Sequence, residues 1–394
     1  MLNCSECSSC AACANACTRN AISMQLNSEG FYRPIIDEKK CVQCGLCEKV
    51  CPSVNIVDNP NIAKKEPQTL AAYAKNEKIR LSSSSGGVFS VLAEQILDCC
   101  GVVVGVAQLS KSHFGHIIVE NKADLEKLRG SKYVLADVGL VYRDVRSYLK
   151  ANRTVLFSGT PCQIAGLYAV LGKTATSANL FTVDVVCHGS PSVKVFEKYI
   201  AEIEKDKSAL VSSTRFRDKR NGWRLYSMTS SLNTISGDCF QISETVDKSK
   251  YLQVFLRNLC LNASCSTCHY AKLPRIADIT LGDYWGVDRH HPDMCDDKGT
   301  SVVLINTDNG KKLFETVKDK INYRESDIRI AASCQRNITR PSIAHRKRKA
   351  FLKDLDYMNF SDLYTKYMTE PTILQKIYRL TWKQLHILKN VFFK

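Results

Sequence analysis

Cysteine is where this sequence is equipped for chemistry. A run Cys7-x2-Cys10-x2-Cys13-x3-Cys17 is followed by a second, Cys41-x2-Cys44-x2-Cys47-x3-Cys51-Pro52. Thiolates at this repeated spacing hold [4Fe-4S] clusters, each run giving three ligands to one cluster and its last cysteine to the other. The spacing assigns Cys7, Cys10, Cys13 and Cys51 to one cluster, and Cys41, Cys44, Cys47 and Cys17 to a second. Thr18 stands where the first run would have proline, which alters the turn after Cys17 and removes no ligand. Cys4 is surplus and a rival of Cys7. Zinc sites use separated cysteine pairs rather than two matching four-cysteine runs, so the expected chemistry is the movement of single electrons.

Nine of the 19 cysteines fall in the first 51 of 394 residues, which marks off a separate module over residues 1–56. Its spacing is similar to that of bacterial dicluster ferredoxins. Between the runs, Ala21 to Ile36 alternates around Ser28-Glu29-Gly30 and predicts a hairpin. Residues 57–69 lose periodicity and gather Asp, Asn, Pro and Lys, the chemistry of a linker. A hydrophobic content of 44% and a charged content of 24% are those of a folded protein. No apolar run approaches the roughly 18 residues of a membrane span, and Met1 to Glu6 does not read as a signal peptide, so a reducing cytoplasm is expected, where dense cysteine means metal.

Beyond the linker, Ser82-Ser83-Ser84-Ser85-Gly86-Gly87 runs into a helical pattern over 88–97. Glycines ahead of a helix let its free N–H groups approach a phosphate, although a serine-rich cap on a structural helix reads the same way. Strands are predicted over 102–109, 154–157 and 180–186, and helices over 137–150 and 162–171, a mixed α/β pattern. Cys162 and Cys187 follow two of these strands, where such sheets place ligands. Cys162 also reads as a nucleophile or as a small buried hydrophobe.

Ser85-Gly86-Gly87, Arg129-Gly130-Ser131-Lys132-Tyr133, Gly159-Thr160-Pro161-Cys162-Gln163, Val186-Cys187-His188-Gly189, Cys265-x2-Cys268 and Ala277-Asp278-Ile279-Thr280-Leu281-Gly282-Asp283 occur in this order. In these motifs the sequence resembles the beta subunits of coenzyme F420 hydrogenase and dehydrogenase. The resemblance implies a mixed-sheet domain over 70–325 that binds FAD beside a third [4Fe-4S] cluster held by Cys162, Cys187, Cys265 and Cys268. Cys260 is a rival for one ligand position. It further implies a pyrophosphate turn at Ser84, Ser85, Gly86 and Gly87, with Ser131, Lys132 and Tyr133 beside the flavin. Lys132 would stabilise negative charge on reduced flavin, His188 would donate a proton, Asp283 would orient a ligand or place a proton, and Tyr284-Trp285-Gly286 would wall the ring. No G-x-G-x-x-G run occurs, so FAD rests on the resemblance alone.

The formal charge is +16, or about +10 once three clusters with four thiolates each are counted. From Arg324 to Lys394 there are 15 Lys or Arg against 6 Asp or Glu, and residues 326–394 are expected to be a basic, mainly helical tail. Basic charge steers acidic partners, such as a ferredoxin or the deazaflavin coenzyme F420. Residues 372–394 have an apolar stripe and no acidic residue, as in a helix that contacts a partner protein or lies at the inner membrane face. The expected activity is that of an iron-sulfur flavoprotein oxidoreductase, exchanging hydride with F420 or with an unidentified organic substrate, the resemblance extending to polysaccharide-biosynthesis proteins. The alternative is a non-catalytic electron-transfer subunit of a larger complex. A nucleic-acid-binding reading accounts for the charge but not for the flavin-domain motifs.

Overall fold

The computed structural model describes residues 6–62 and 66–368. In the N-terminal module a short helix α1 (Ala12–Ala16) precedes the antiparallel strands β1 (Ile22–Leu26) and β2 (Tyr32–Ile36), and α2 (Leu46–Lys49) follows. The strands pair from Ile22 with Ile36 to Leu26 with Tyr32, the hairpin that the alternation implied. Each cysteine run wraps around one of the two short helices.

The main body is an eight-stranded mixed sheet. In chain order its strands are β3 (Gln68–Ala74), β4 (Val102–Gln108), β5 (Phe114–Val119), β6 (Val155–Gly159) and β7 (Leu180–Val185). After an excursion into a separate three-stranded sheet, β8 (Ala209–Asp218), β9 (Ser227–Thr234) and β10 (Cys239–Thr245), the chain returns for β11 (Ile279–Asp283), β12 (Ser301–Ile305) and β13 (Ile321–Ser326). The spatial order is β13-β3-β12-β11-β7-β6-β4-β5. Strands β4, β6, β7 and β11 run parallel at the centre, and the outer pairings are antiparallel. Parallel strands put their C-terminal ends on one edge, which is how segments following β6, β7 and β11 come to share a site.

Both faces of the sheet are covered, so the central strands read as continuous apolar runs. Val103, Leu156 and Val183 pack towards helix α4 (Val88–Asp98). Val102, Val104, Val155 and Phe157 pack on the other face, with helices α6 (Val141–Lys150) and α7 (Pro161–Leu171). The N-terminal module joins this second core through Cys10, Ala11, Ala12, Ala16 and Val50. Preceding α4 is the short α3 (Glu77–Ser82); α5 (Leu125–Leu128) lies between β5 and α6, and α8 (Val193–Lys207) follows β7.

Two elements differ from expectation. Helix α6 begins at Val141 rather than Asp137, because Asp137 is hydrogen-bonded across to Phe114 and His116 of β5 and Gly139 turns the chain at φ +58. In the expected tail, the helices over Arg348–Lys353 and Phe360–Tyr367 bury Phe351, Leu352, Phe360 and Leu363 in the core shared with α8. The amphipathic stretch over 372–394, and with it the membrane or partner contact, lies outside the described residues, as does Cys4. Among the described residues no helix is long and apolar enough to cross a membrane.

His116 on β5 stacks on Phe157 at 5.3 Å, with both ring nitrogens buried and unpartnered. Burial holds its pKa down, from 6.5 to about 4. Above pH 6.5 folded and unfolded chains are both neutral here. As pH falls, the unfolded chain takes up the proton first and stability is lost until the folded form titrates as well. His116→Phe should therefore flatten the dependence of the denaturation midpoint on pH between pH 6.5 and 5, where the native chain loses up to about 2 kcal/mol. Equal slopes for the two proteins would refute this.

Candidate functional site

Three groups of cysteines converge. The third is built at the C-terminal edge of the parallel strands. After β6 the chain turns into α7 through a capping box, in which the Thr160 N–H donates to Gln163 Oε1 at 2.8 Å, with Pro161 in the first turn. This fixes Cys162 at the helix N-terminus. Cys187 leaves the end of β7, while Cys265 and Cys268 lie on and after a 3-10 turn over Ala263–Thr267. Cys187 is within electrostatic reach of Cys265, Cys162 and Cys268, and Cys162 of Cys268 and Cys265. Burial, and secondarily these neighbours, pushes Cys162 up to about 12 and Cys265 to about 11, and drives Cys187 upward as well. As free thiols they stay protonated; iron would make them thiolates. The Ser190 N–H already points at Cys265 Sγ at 3.3 Å, and the Thr160 hydroxyl lies 3.2 Å from Cys162 Sγ, partners of the kind that tune cluster sulfurs.

Cys260 is elsewhere. It is fully buried in the α8 core beside Tyr251 and Arg348, outside the field of the other four.

In the N-terminal module Cys13 lies in the field of Cys7, Cys51 and Cys47, and Cys10 in that of Cys7 and Cys13. Burial pushes Cys13 up to about 12 and drives Cys10 well upward too. N–H donors are again aimed at sulfur, from Ser9 to Cys7 and from Ala21 to Cys17. Cys41 bears on Cys47, Cys17 ends α1, and Cys44 is the exposed member of the second group. Among the described residues no three donors meet at the point a single ion would occupy; a [4Fe-4S] cluster takes one sulfur at each iron corner. The donor sets, made of cysteine throughout, fit clusters.

Beside the third group lies a cavity of about 380 Å³, the size of a cofactor or small-ligand pocket. Cys187 and His188 are in its wall, opposite the turn over 83–87 and the segment Arg129 to Ala136. The two turns are pinned together where the Ser131 N–H donates to Ser84 Oγ at 2.7 Å. Gly87 caps α4 at φ +84, a conformation that suits glycine, and aims the helix N-terminus at the cavity. Gly86 serves the sheet instead, since a Cβ there would sit 2.4 Å from the Ala72 carbonyl oxygen. The N-terminus of α4 and the aromatic side chains of Tyr133, Phe255 and Trp285 line the same cavity, groups of the kind that a dinucleotide flavin uses; Tyr284 is buried in the adjoining core instead.

The three expected catalytic groups are all at the cavity, and Lys132 and Asp283 are already engaged. Lys132 Nζ donates to the carbonyls of Lys127, Leu128 and Arg129 at 3.1, 2.9 and 2.9 Å, closing the end of α5. Burial pushes its pKa down to about 7. Asp283 is gripped by Arg217, at 2.7 Å from Nη1 and 3.2 Å from Nη2, and accepts from Trp223 Nε1 at 2.8 Å. His188 packs its ring edge-on to Phe255 at 4.9 Å, with Nε2 unpartnered, and burial lowers its pKa. Sequence reasoning missed Arg217, which also reaches the Tyr133 hydroxyl at 3.2 Å. It missed the buried pair Arg275–Asp184 at 2.7 Å as well. The visible signal for Arg217 is an arginine at an inward position of β8, legible only once the strand's facing is known.

Comparison with known proteins gives three family matches. The model for the C terminus of the coenzyme F420 hydrogenase/dehydrogenase beta subunits covers residues 152–330. The corresponding N-terminal model covers 69–141, and a 4Fe-4S dicluster domain covers 6–55. The F subunit of the F(420)H(2) dehydrogenase of Methanosarcina mazei is 23% identical over 292 residues, spanning 72% of each chain. A chain of the xenon-derivatized F420-reducing [NiFe] hydrogenase complex of Methanosarcina barkeri overlaps 76% of this chain and 95% of its own, at 14% identity and a TM-score of 0.46.

Proposed function

Because the chain belongs to the family of coenzyme F420 hydrogenase/dehydrogenase beta subunits and carries a 4Fe-4S dicluster domain, we propose that it is the electron-transfer subunit of a redox assembly. In this reading single electrons run along three cysteine groups between a partner protein and FAD in the cavity. Clusters supply one-electron steps, and a bound flavin would join them to two-electron chemistry. The protein's own residues hold and align these groups. Cys41, Cys44, Cys47 and Cys17 form the outer group, open to a partner through exposed Cys44. Cys7, Cys10, Cys13 and Cys51 form the middle one, and Cys162, Cys187, Cys265 and Cys268 the inner one.

At the cavity the N-terminus of α4 and the Ser84 turn would hold the pyrophosphate. Lys132 keeps the facing turn closed through its three carbonyl partners, and the Arg217–Asp283 pair fixes the wall beside Tyr133. The observation that carries this reading is that Cys187 belongs both to the inner cysteine group and to the cavity wall. A role within a larger assembly is favoured over a self-contained reductase by the relative in M. mazei, itself named as one subunit of a dehydrogenase; that name also supports F420 as the electron partner.

Iron, acid-labile sulfide and flavin measured on one anaerobic preparation test the reading. About twelve irons and one FAD per chain are expected. About eight irons without flavin, after reconstitution, would defeat it.

A further inference from the structure

The middle and inner cysteine groups meet at one place. Gly166 lies one helical turn after Cys162, on the same face of α7. A Cβ at Gly166 would sit 3.3 Å from Cys10 Sγ, 3.2 Å from Cys10 Cβ and 3.1 Å from the Tyr142 hydroxyl oxygen. Cys10 and Cys162 are within electrostatic reach of each other. Two phenols flank the contact. Tyr142 is fully buried, donates to the Gln163 carbonyl at 2.8 Å, and lies in the field of Cys10 and Cys162. Tyr270 accepts from the Val57 N–H at 3.2 Å and lies in the field of Cys10, Cys162 and Cys268.

The module is held against this spot from two sides. Arg143 of α6 donates to the carbonyls of Asn15, Ala14 and Cys17 at 2.8, 2.8 and 2.7 Å. Across the site, the Asn262 amide donates to the Cys7 carbonyl at 3.0 Å. A carrier that swings between partners would leave such an interface polar and loosely made; here Cys10, Ala11 and Ala12 share a buried apolar core with α7.

We propose that electrons cross between the N-terminal module and the inner cysteine group at the Cys10–α7 contact, and that Gly166 is the positioning residue that keeps the crossing short. The module is a docked relay and does not swing. The step moves one electron and no atoms: one group is oxidised by one electron as the other is reduced by one. This rests on the cluster assignment of the preceding subsection.

The test uses the full chain, reconstituted anaerobically, with Gly166→Ala and Gly166→Val. Iron content and the EPR signal of each cluster check the assignment, and a native protein with fewer than twelve irons would overturn that reading on its own. The inference itself is read from rapid freeze-quench EPR, which follows arrival of the electron at the inner cluster, and from spin–spin broadening in the fully reduced protein. Gly166→Val should keep its iron, lose part of the broadening and slow the crossing, because the added side chain holds the middle and inner clusters farther apart. Gly166→Ala should show the same change to a lesser degree, and it decides the matter if the valine protein does not hold its iron. Tyr142→Phe, which takes away an oxygen and moves no cysteine, should leave broadening and rate at native values. An iron-replete Gly166 variant with native broadening and native rate would overturn the inference.

Discussion

Cys162→Ala should cost the protein about a third of its iron, roughly four atoms of twelve, with the N-terminal pair of clusters intact. The reason is geometric. Cys162 is fixed by the Thr160–Gln163 capping box at the start of α7, within the field of Cys265 and Cys268 and opposite Cys187, so none of the other three can take its corner. Cys260 is no substitute, because it is buried beside Tyr251 and Arg348, outside the field of Cys162, Cys187 and Cys268. Electrons supplied to the N-terminal module should then fail to reach a flavin in the cavity, although that module remains reducible. Cys260→Ala is the contrasting variant. It should keep all its iron and lose only stability, by about 1 to 2 kcal/mol for a small buried side chain. Iron and sulfide analysis with EPR on the two proteins separates the assignments. Unchanged iron in Cys162→Ala, or the loss appearing in Cys260→Ala instead, would remove Cys162 from the inner group.

Why the eight proposed ligands of the N-terminal module are legible in the sequence and the proposed inner four are not follows from where their partners lie. Cys7 to Cys17 and Cys41 to Cys51 each make most of a cluster from one short run, so spacing alone describes the chemistry. Cys162, Cys187 and the 265–268 pair are brought together only by β6, β7 and the return of the chain to β11. Periodicity found those strands because they are covered on both faces and apolar throughout. It could not show that they are parallel neighbours, and the ligand set came from resemblance.

The same limit applies to charge. Lys132 reads as a cation offered to a reduced flavin because its motif resembles that of the coenzyme F420 hydrogenase and dehydrogenase beta subunits. Its ammonium is taken up by carbonyls three to five residues earlier, at the end of a helix too short to announce itself in the sequence. Asp283 reads as a free carboxylate at a strand end, but its partner Arg217 comes from β8 of the other sheet. The segment from Arg348 to Tyr367 reads as tail because Arg346 to Lys349 dominate its composition, whereas the apolar residues that follow complete the core around α8. Composition reports what solvent sees, and a few well-placed aromatic residues decide what the core holds.

Arg275→Met is expected to be the most damaging single change outside the cysteines. Arg275 and Asp184 have side chains 1% and 0% exposed and meet at 2.7 Å. Arg275 also donates to the Tyr270 carbonyl at 3.0 Å. Asp184 lies on β7, three residues before Cys187, and Arg275 follows Cys268 by seven, so the pair ties the strand carrying one inner ligand to the loop carrying two others. Burial already drives the Asp184 carboxyl upward, and Arg275 is the charge that pulls it back. Without the guanidinium, Asp184 must be buried uncompensated or take up a proton, and breaking such a pair costs about 3 to 5 kcal/mol. The inner cluster should be lost first, because its ligand loop is what the pair restrains. Asp184→Leu combined with Arg275→Met should recover most of the stability, since a well-packed apolar pair often matches a buried ion pair. Denaturation midpoints and iron content for the two single variants and the double variant form the cycle. Native stability and twelve irons in Arg275→Met would show that the pair does not restrain the inner site.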